Sequence, residues 1–422
     1  MFKSRFLYTL ALYLLLPFIP LRLLWRARKQ PAYLQHWGER FGYYRTSPPA
    51  PLIWIHAVSV GETRASAPLI EALHARYPQY QILLTHMTPT GRETGLALFG
   101  TRVIQAYLPY DLPGAVRRFL THFKPTFGLL METELWPNLI ATCRYRSISL
   151  ALINARLSER SAQGYARFGM LAQLTKESLQ ALPLICAQSN ADAARLTQLG
   201  ASQVYVTGNI KFDVAVPADA GARASHLRAI WGGDRLVLIL ASTREGEETL
   251  LMDALSARAS DQLLVIVPRH PQRFDAVATL LAAHGIRFQR RSENQSIRAD
   301  TQVVLGDTMG EMFAYYGSAD VAVIGGSFLP FGGQNLIEAC AMALPVIVGQ
   351  HTFNFTQIAE DAIAAGAALR ATDAHNSLTL AQNLFHDAAA RKRMGQAALD
   401  YAVAQRGAIL QTMTMIEGHL LA

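Results

Sequence analysis

Only three cysteines occur in 422 residues, and Cys143, Cys186 and Cys340 are far apart and odd in number. No disulfide framework or cysteine-based metal knuckle follows from them, and such sparse thiols fit a reducing compartment. The 12 histidines are scattered, with no His-Glu-x-x-His or Asp-x-Asp pattern, so no metal set is apparent. There is no long basic run with interleaved aromatics, which makes nucleic acid the weaker partner. Ser59 has no nucleophile-elbow context, which argues against a hydrolase triad. Internal repeats and low-complexity segments are also missing. What remains is a chain of 51% hydrophobic and 17% charged residues, a folded protein with apolar surface to hide. Its charge balance is 39 − 31 = +8, with a pI near 9.5. That excess suits an acidic lipid surface or a phosphorylated substrate. The length predicts two domains.

Residues 1–30 stand apart. Lys3 and Arg5 precede an uncharged run from Phe6 to Leu21, and Arg22, Arg26, Arg28 and Lys29 follow it. A full span needs roughly 20 apolar residues, so the run is slightly short, and Pro17 and Pro20 disturb its end. No small-residue cleavage site follows, unlike a signal peptide. Flanking cations and Trp25 fit a membrane anchor better than a buried first helix, with the main body on the cytoplasmic side.

Regular α/β alternation starts after the break Ser47-Pro48-Pro49-Ala50-Pro51. Strands are expected at Leu52 to Ala57, Ile82 to Thr85, Val103 to Tyr107, Phe127 to Met131, Ile148 to Ile153, Leu184 to Ala187 and Val204 to Thr207, with a helix at Ala65 to Ala75. A linker is expected at 214–223. A second series follows at Leu236 to Leu240, Leu263 to Val267, Val303 to Gly306, Val321 to Ile324 and Val346 to Val348. Strands spaced by helices imply right-handed crossovers and parallel sheets. The division is therefore 1–30, 31–213, 214–223 and 224–405, with a final helix over 406–422 packing back on the first domain. Substrate is expected in the cleft between the domains, beyond the carboxyl ends of the strands.

The second domain is organised around Gly325-Gly326-Ser327-Phe328-Leu329-Pro330-Phe331-Gly332-Gly333-Gln334-Asn335-Leu336-Ile337-Glu338-Ala339. Strand, glycine loop and helix start present backbone N–H groups to a phosphate. Asn335 and Glu338, three apart, would share one face of the first helical turn, where a carboxylate can accept from both hydroxyls of a ribose. Three other strand-to-helix turns converge on the same edge. The Ser242-Thr243-Arg244-Glu245-Gly246-Glu247-Glu248 turn either meets phosphate or caps its helix. The turn Pro268-Arg269-His270-Pro271 offers a bidentate phosphate contact and an imidazole. The turn Asp307-Thr308-Met309-Gly310-Glu311-Met312 can lend contacts to a base.

In the first domain, Glu62 of Ser59-Val60-Gly61-Glu62 is either a general base or a first-turn residue serving only its helix, with the helix dipole favouring its charged form. Glu132 and Glu134, beside Trp136, suit sugar or acceptor contacts; alternatively Glu134 pairs with an arginine. Lys211 of Asn209-Ile210-Lys211-Phe212-Asp213 can face an anionic substrate, or form an exposed pair with Asp213 worth at most ~1 kcal/mol.

Taken together, Ser59 to Glu62, Met131 to Pro137, Gly208 to Asp213, Pro268 to Pro271, the N-terminal anchor and the glycine loop resemble the 3-deoxy-D-manno-octulosonic acid (Kdo) transferases of lipopolysaccharide biosynthesis. The resemblance covers nearly the whole chain. It implies two Rossmann-like α/β domains facing a cleft, the GT-B glycosyltransferase fold, with an N-terminal hydrophobic membrane anchor. It implies inverting transfer of Kdo from CMP-Kdo to a lipid A precursor of the lipid IVA type, at the cytoplasmic face of the bacterial inner membrane, without a metal. By the same resemblance Glu62 is the general base, supported by Glu132 and Glu134. Lys211, Ser242, Arg269, His270, Met309, Gly310, Glu311, Gly332, Gly333, Asn335 and Glu338 hold the donor. The chain departs from the family pattern at Gln334, where a histidine is usual, and at Ala339-Cys340, where Pro-Ala is usual. Position 334 therefore receives no proton-transfer role. Two rivals are a UDP-sugar-dependent GT-B glycosyltransferase or epimerase of envelope biosynthesis, and a catalytically silent sugar-nucleotide sensor.

Overall fold

A computed structural model describes residues 2–28, 30–45, 51–167, 169–214, 216–254 and 262–420. Lys29, the break at 47–50 and Ala215 of the expected linker lie outside the described residues. The chain forms two compact units, Met1–Asp213 with Gly407–Ala422, and Val214–Arg406.

The first unit holds a seven-stranded parallel sheet. Its strands are β1 (Leu52–His56), β2 (Gln81–His86), β3 (Val103–Tyr107), β4 (Phe127–Met131), β5 (Ser149–Ala155), β6 (Leu184–Ala187) and β7 (Val204–Val206), in the order β3-β2-β1-β4-β5-β6-β7. The central strands β1, β4 and β5 are almost wholly buried, as uninterrupted apolar runs require when helices cover both faces. Alternation divides their side chains between two cores. Trp54, Leu83, Leu130 and Leu152 pack with Phe119 and Phe123 on one face. Ile53, Ile55, Leu129 and Ile153 pack with Leu69, Ile70 and Leu73 on the other. Each such side chain stabilises the unit by about 1.5–3 kcal/mol when fully buried. The helix Ala408–Leu420 completes the second core through Met413 and Ile416. It is fixed by Asp213, whose carboxylate accepts from Gly407 N (3.0 Å) and Ile409 N (2.7 Å). Asp213 therefore caps a helix and does not pair with Lys211. The preceding helix, Ala388–Ala404, stays with the second unit, where the Tyr401 hydroxyl donates to Ile358 O at 3.1 Å.

At the N-terminus, α1 (Phe2–Leu15) and α2 (Phe18–Ala27) bend by 56° about Leu16-Pro17. Among the described residues no single helix is long and apolar enough to cross a membrane. The polar side of α1 is docked. Tyr8 Oη donates to Asp111 Oδ2 (3.1 Å) and Thr9 Oγ1 to Asn138 Oδ1 (3.1 Å). Asp111 also takes the N–H groups of Asn138 and Leu139 at 2.9 and 2.8 Å, capping the helix Pro137–Tyr145. The other side exposes Phe6, Leu14, Phe18 and Trp25, each more than 60% accessible.

The second unit repeats the architecture with β8 (Leu236–Thr243), β9 (Gln262–Pro268), β10 (Phe288–Arg290), β11 (Val303–Leu305), β12 (Val321–Ile324), β13 (Val346–Val348) and β14 (Ala368–Arg370). Their order is β10-β11-β9-β8-β12-β13-β14, all parallel. A helix already begins at Ala220, inside the segment expected to link the domains.

Candidate active site

The strand order of each sheet changes direction beside its first strand, at β1/β4 in the first unit and at β8/β12 in the second. Such switch points open a crevice beyond the strand carboxyl ends, and the candidate residues gather there. Glu62 follows β1, Glu132 and Glu134 follow β4, and Lys211 follows β7. In the second unit Ser242 is the penultimate residue of β8, Arg269 and His270 follow β9, Met309 to Glu311 follow β11, and the glycine segment follows β12.

Glu62 lies in the first turn of α3 (Val60–Arg76), which starts earlier than the apolar pattern predicts because Ser59 caps it. Ser59 Oγ accepts from Glu62 N at 3.4 Å and donates to Glu62 Oε1 at 3.0 Å, while Val58 N donates to Oε2 at 2.8 Å. This reciprocal capping box fixes the carboxylate. The residue is 9% exposed. Burial pushes its carboxyl up to about 7, against the Val58 N–H and Ser59 hydroxyl and with help from the charges of Glu132 and Glu134. The expectation that the helix dipole would keep Glu62 in its charged form is thus corrected: desolvation outweighs a helix-end effect of about 1 kcal/mol or less.

Glu132 sits at φ 59°, a left-handed backbone uncommon for a non-glycine residue, and pairs with Lys211 Nζ at 2.5 Å. Lys211 is held by its own turn. Asn209 Oδ1 accepts Lys211 N (3.0 Å), and Asn209 Nδ2 donates to Gln188 Oε1 (2.9 Å). Gln188 Nε2 in turn donates to Asn154 O (2.9 Å), and Asn154 Oδ1 accepts Ile210 N (3.1 Å). Asn154 and Gln188 carried no sequence motif; only the fold brings them beside Lys211. Glu134 makes no ion pair with an arginine among the described residues. Burial raises its carboxyl, and the charge of Glu132 adds to the shift.

These buried acids make stability depend on pH. The folded pKa of Glu62 and of fully buried Asp111 is about 7, above the ordinary carboxylate value, chiefly because of burial. The folded unit therefore keeps protons that the unfolded chain has already lost, and its stability falls as pH rises through 7. His56 and His86, held neutral by burial, act in the opposite sense only below their ordinary value of 6.5. From pH 6.5 to 8 the melting temperature should fall, each acid contributing about 1 kcal/mol. Scanning calorimetry checks this, and Glu62→Gln should flatten the dependence.

In the second unit, Ser242 is left-handed at φ 59°, and a Cβ on Gly325 would lie 2.6 Å from Ser242 O, so the β8 and β12 turns touch backbone to backbone. Arg269 N donates to Thr243 O at 3.0 Å, tying in the β9 turn. Glu338 is half-buried; desolvation raises its carboxyl, while the charge of Arg269 pulls it back. Arg269 thus acts on Glu338 through its charge. The expected shared helical face of Asn335 and Glu338 is not formed. The helix is short, Ile337–Ala341, and Asn335 precedes it, its Oδ1 accepting Ile337 N at 3.0 Å. An asparagine that captures the N–H two residues ahead starts a turn instead of joining the helix.

Gly332 and Gly333 have φ of +91° and +80°. A Cβ on Gly332 would meet Asn354 Nδ2 at 2.2 Å, so this glycine lets the 351–354 loop close over the segment. Met309 is exposed and Gly310 is left-handed, as a contact-making turn allows. Glu311 instead faces inward. Burial would raise its carboxyl, but the Thr308 hydroxyl, Arg223 and Arg291 hold it below the usual range. Its side chain secures the turn. The turn after β8 is not a simple helix cap either: Thr243 Oγ1 donates to Glu248 Oε1 at 2.7 Å, and Arg273 grips Glu248 with two bonds of 2.6 and 2.9 Å.

Residues 35–214 match the family model described as 3-Deoxy-D-manno-octulosonic-acid transferase (kdotransferase). A 3-deoxy-D-manno-octulosonic acid transferase from Bordetella pertussis is 46% identical, with 99% of this chain and 100% of the relative covered. A second, from Haemophilus influenzae, is 38% identical, with 99% of each covered. Among solved structures, UDP-GlcNAc 2-epimerase from Neisseria meningitidis bound to UDP-GlcNAc has a TM-score of 0.56 at 15% identity, covering 87% of this chain and 100% of that one. That likeness concerns the GT-B-like fold of two parallel α/β domains alone. By its sequence relatives, the chain belongs to the 3-deoxy-D-manno-octulosonic acid (Kdo) transferase family.

Proposed function

We propose that this enzyme moves Kdo from CMP-Kdo to a phosphorylated lipid A precursor, with inversion at the anomeric carbon. Glu62 removes the proton of the attacking acceptor hydroxyl, and CMP departs from the opposite face. The observation that carries this reading is the Glu62 carboxyl: fixed by a capping box, buried, and pushed up to about 7. A general base works best when its pKa lies near the operating pH. The Lys211–Glu132 pair holds an ammonium on the same strand edge, where it faces the anionic sugar. Arg269 and the turns around Ser242, Met309, Gly310, Gly332 and Gly333 hold the donor, with Asn335 and Glu338 at the ribose. His270 adds a hydrogen bond to the phosphate. Stabilising the departing CMP is thereby assigned to preorganised charges and dipoles.

The acceptor is a lipid, and the bent pair α1–α2 supports placement at a membrane surface. Its exposed apolar side chains are accompanied by Arg22, Arg26 and Arg28, a pattern that attracts anionic headgroups. We assign the enzyme to the cytoplasmic face of the bacterial inner membrane on that basis.

Nucleotide competition tests the donor. CMP is expected to compete with CMP-Kdo, and UDP at the same concentration to leave the rate nearly unchanged. Equal or stronger competition by UDP would favour a UDP-sugar enzyme instead.

A further inference from the structure

The glycine segment after β12 is already wrapped around an anion, and that anion belongs to the protein. Glu247, at the start of the helix Glu247–Ala254, is fully buried. Its Oε2 accepts from Gly326 N at 2.6 Å and from Arg244 N at 2.8 Å, and its Oε1 accepts from Phe328 N at 3.0 Å. Three backbone donors from two different strand-to-helix turns thus converge on one carboxylate. Removing a carboxylate from water is costly, and amide donors on both oxygens offset that cost.

The surrounding contacts give the segment one shape. Ser327 Oγ donates to Ile324 O at 2.5 Å and accepts from Gly349 N at 2.8 Å, fastening the loop to the end of β13. The Arg244 guanidinium lies 4.6 Å from the centre of the Phe331 ring, a cation–π contact across the same two turns. A donor phosphate placed on the Gly326 and Phe328 amides would displace Glu247 or meet its like charge. The sequence expectation of bare N–H groups along this loop therefore fails at these two positions.

We infer that Glu247 is a positioning residue for the donor site. Its carboxylate locks the β12 loop to the β8 turn and reserves the Gly326 and Phe328 N–H groups, so the donor phosphate is bound by other groups of the converging turns. This rests on the reading that the second unit binds a sugar nucleotide. Glutamine cannot replace Glu247, because all three partners are donors and an amide turns an NH2 group against at least one of them.

The test uses the full-length protein. Glu247→Gln should weaken CMP binding at least tenfold by calorimetry and raise the KM for CMP-Kdo. The acceptor KM and the pH dependence set by Glu62 should stay unchanged. A folded variant with wild-type CMP affinity, or one that loses only thermal stability, would overturn the inference. Residue-resolved hydrogen exchange on the wild type is independent of that variant's folding and of the nucleotide's identity. The Gly326 and Phe328 amides should be protected without ligand, with no added protection on CMP binding. Fast exchange at both in the free protein, or new protection there with CMP, would equally overturn it. If the free protein shows the protection yet does not bind CMP, the clamp stands and the nucleotide reading falls.

Discussion

Replacing Glu62 by glutamine is expected to lower kcat by about 10²–10⁴-fold, the range attributable to a positioned general base, while CMP affinity stays within about twofold of the wild type by calorimetry. The substitution is mild structurally. Glutamine can accept from Val58 N through its oxygen and donate to Ser59 Oγ through its nitrogen, keeping the capping contacts that Glu62 makes. It cannot take a proton. The residues proposed to hold the nucleotide, Arg269, Asn335 and Glu338 among them, belong to the second unit and Glu62 to the first, so the expected signature is lost turnover with retained nucleotide binding. The pH profile carries the same information. With its carboxyl near 7, Glu62 is protonated and inactive at low pH, so kcat should rise about tenfold per pH unit below 7 and level off above it. Glu132→Gln removes a charge that raises the Glu62 carboxyl and should move that limb to lower pH. A Glu62→Gln variant with wild-type turnover would refute the assignment.

Glu338→Ala is expected to weaken CMP-Kdo binding by about 10–100-fold, the loss of charge-assisted hydrogen bonds at about 1.5–3 kcal/mol each. Glu338 is half-buried and feels the charge of Arg269, and its place in the first turn of Ile337–Ala341 fixes its direction. Glu338→Gln keeps the shape and one acceptor and should fall between the two. Because the base is untouched, kcat at saturating donor should change far less than the affinity. Unchanged nucleotide affinity in Glu338→Ala would remove the ribose role.

How much of this was legible in the sequence depended on how local each cause was. Val103–Tyr107, Phe127–Met131 and Val321–Ile324 are plain apolar runs between turn signals, and the structure has strands at those bounds. Phe288–Arg290 and Ala368–Arg370 were missed. They are three-residue edge strands ending in arginine, with too little apolar pattern to register. The turns bearing chemistry were legible because each follows a strand and precedes a helix. Their internal wiring was not. Glu247 gripping Gly326 and Phe328, and Glu132 pairing with Lys211, join residues distant in sequence that only the parallel sheets bring together. The raised carboxyl of Glu62 is also a tertiary property: local sequence supplied a helix start that favours charge, and packing reversed the balance.

The most direct test is one incubation of the purified protein with CMP-Kdo and a tetraacylated lipid A precursor, read by mass spectrometry. The expected result is acceptor carrying at least one added Kdo residue, with one CMP released per Kdo transferred. Glu62→Gln should form product more slowly by the same factor of about 10²–10⁴. Unmodified acceptor with the wild-type enzyme, or CMP released by hydrolysis without transfer, would contradict the proposed transfer.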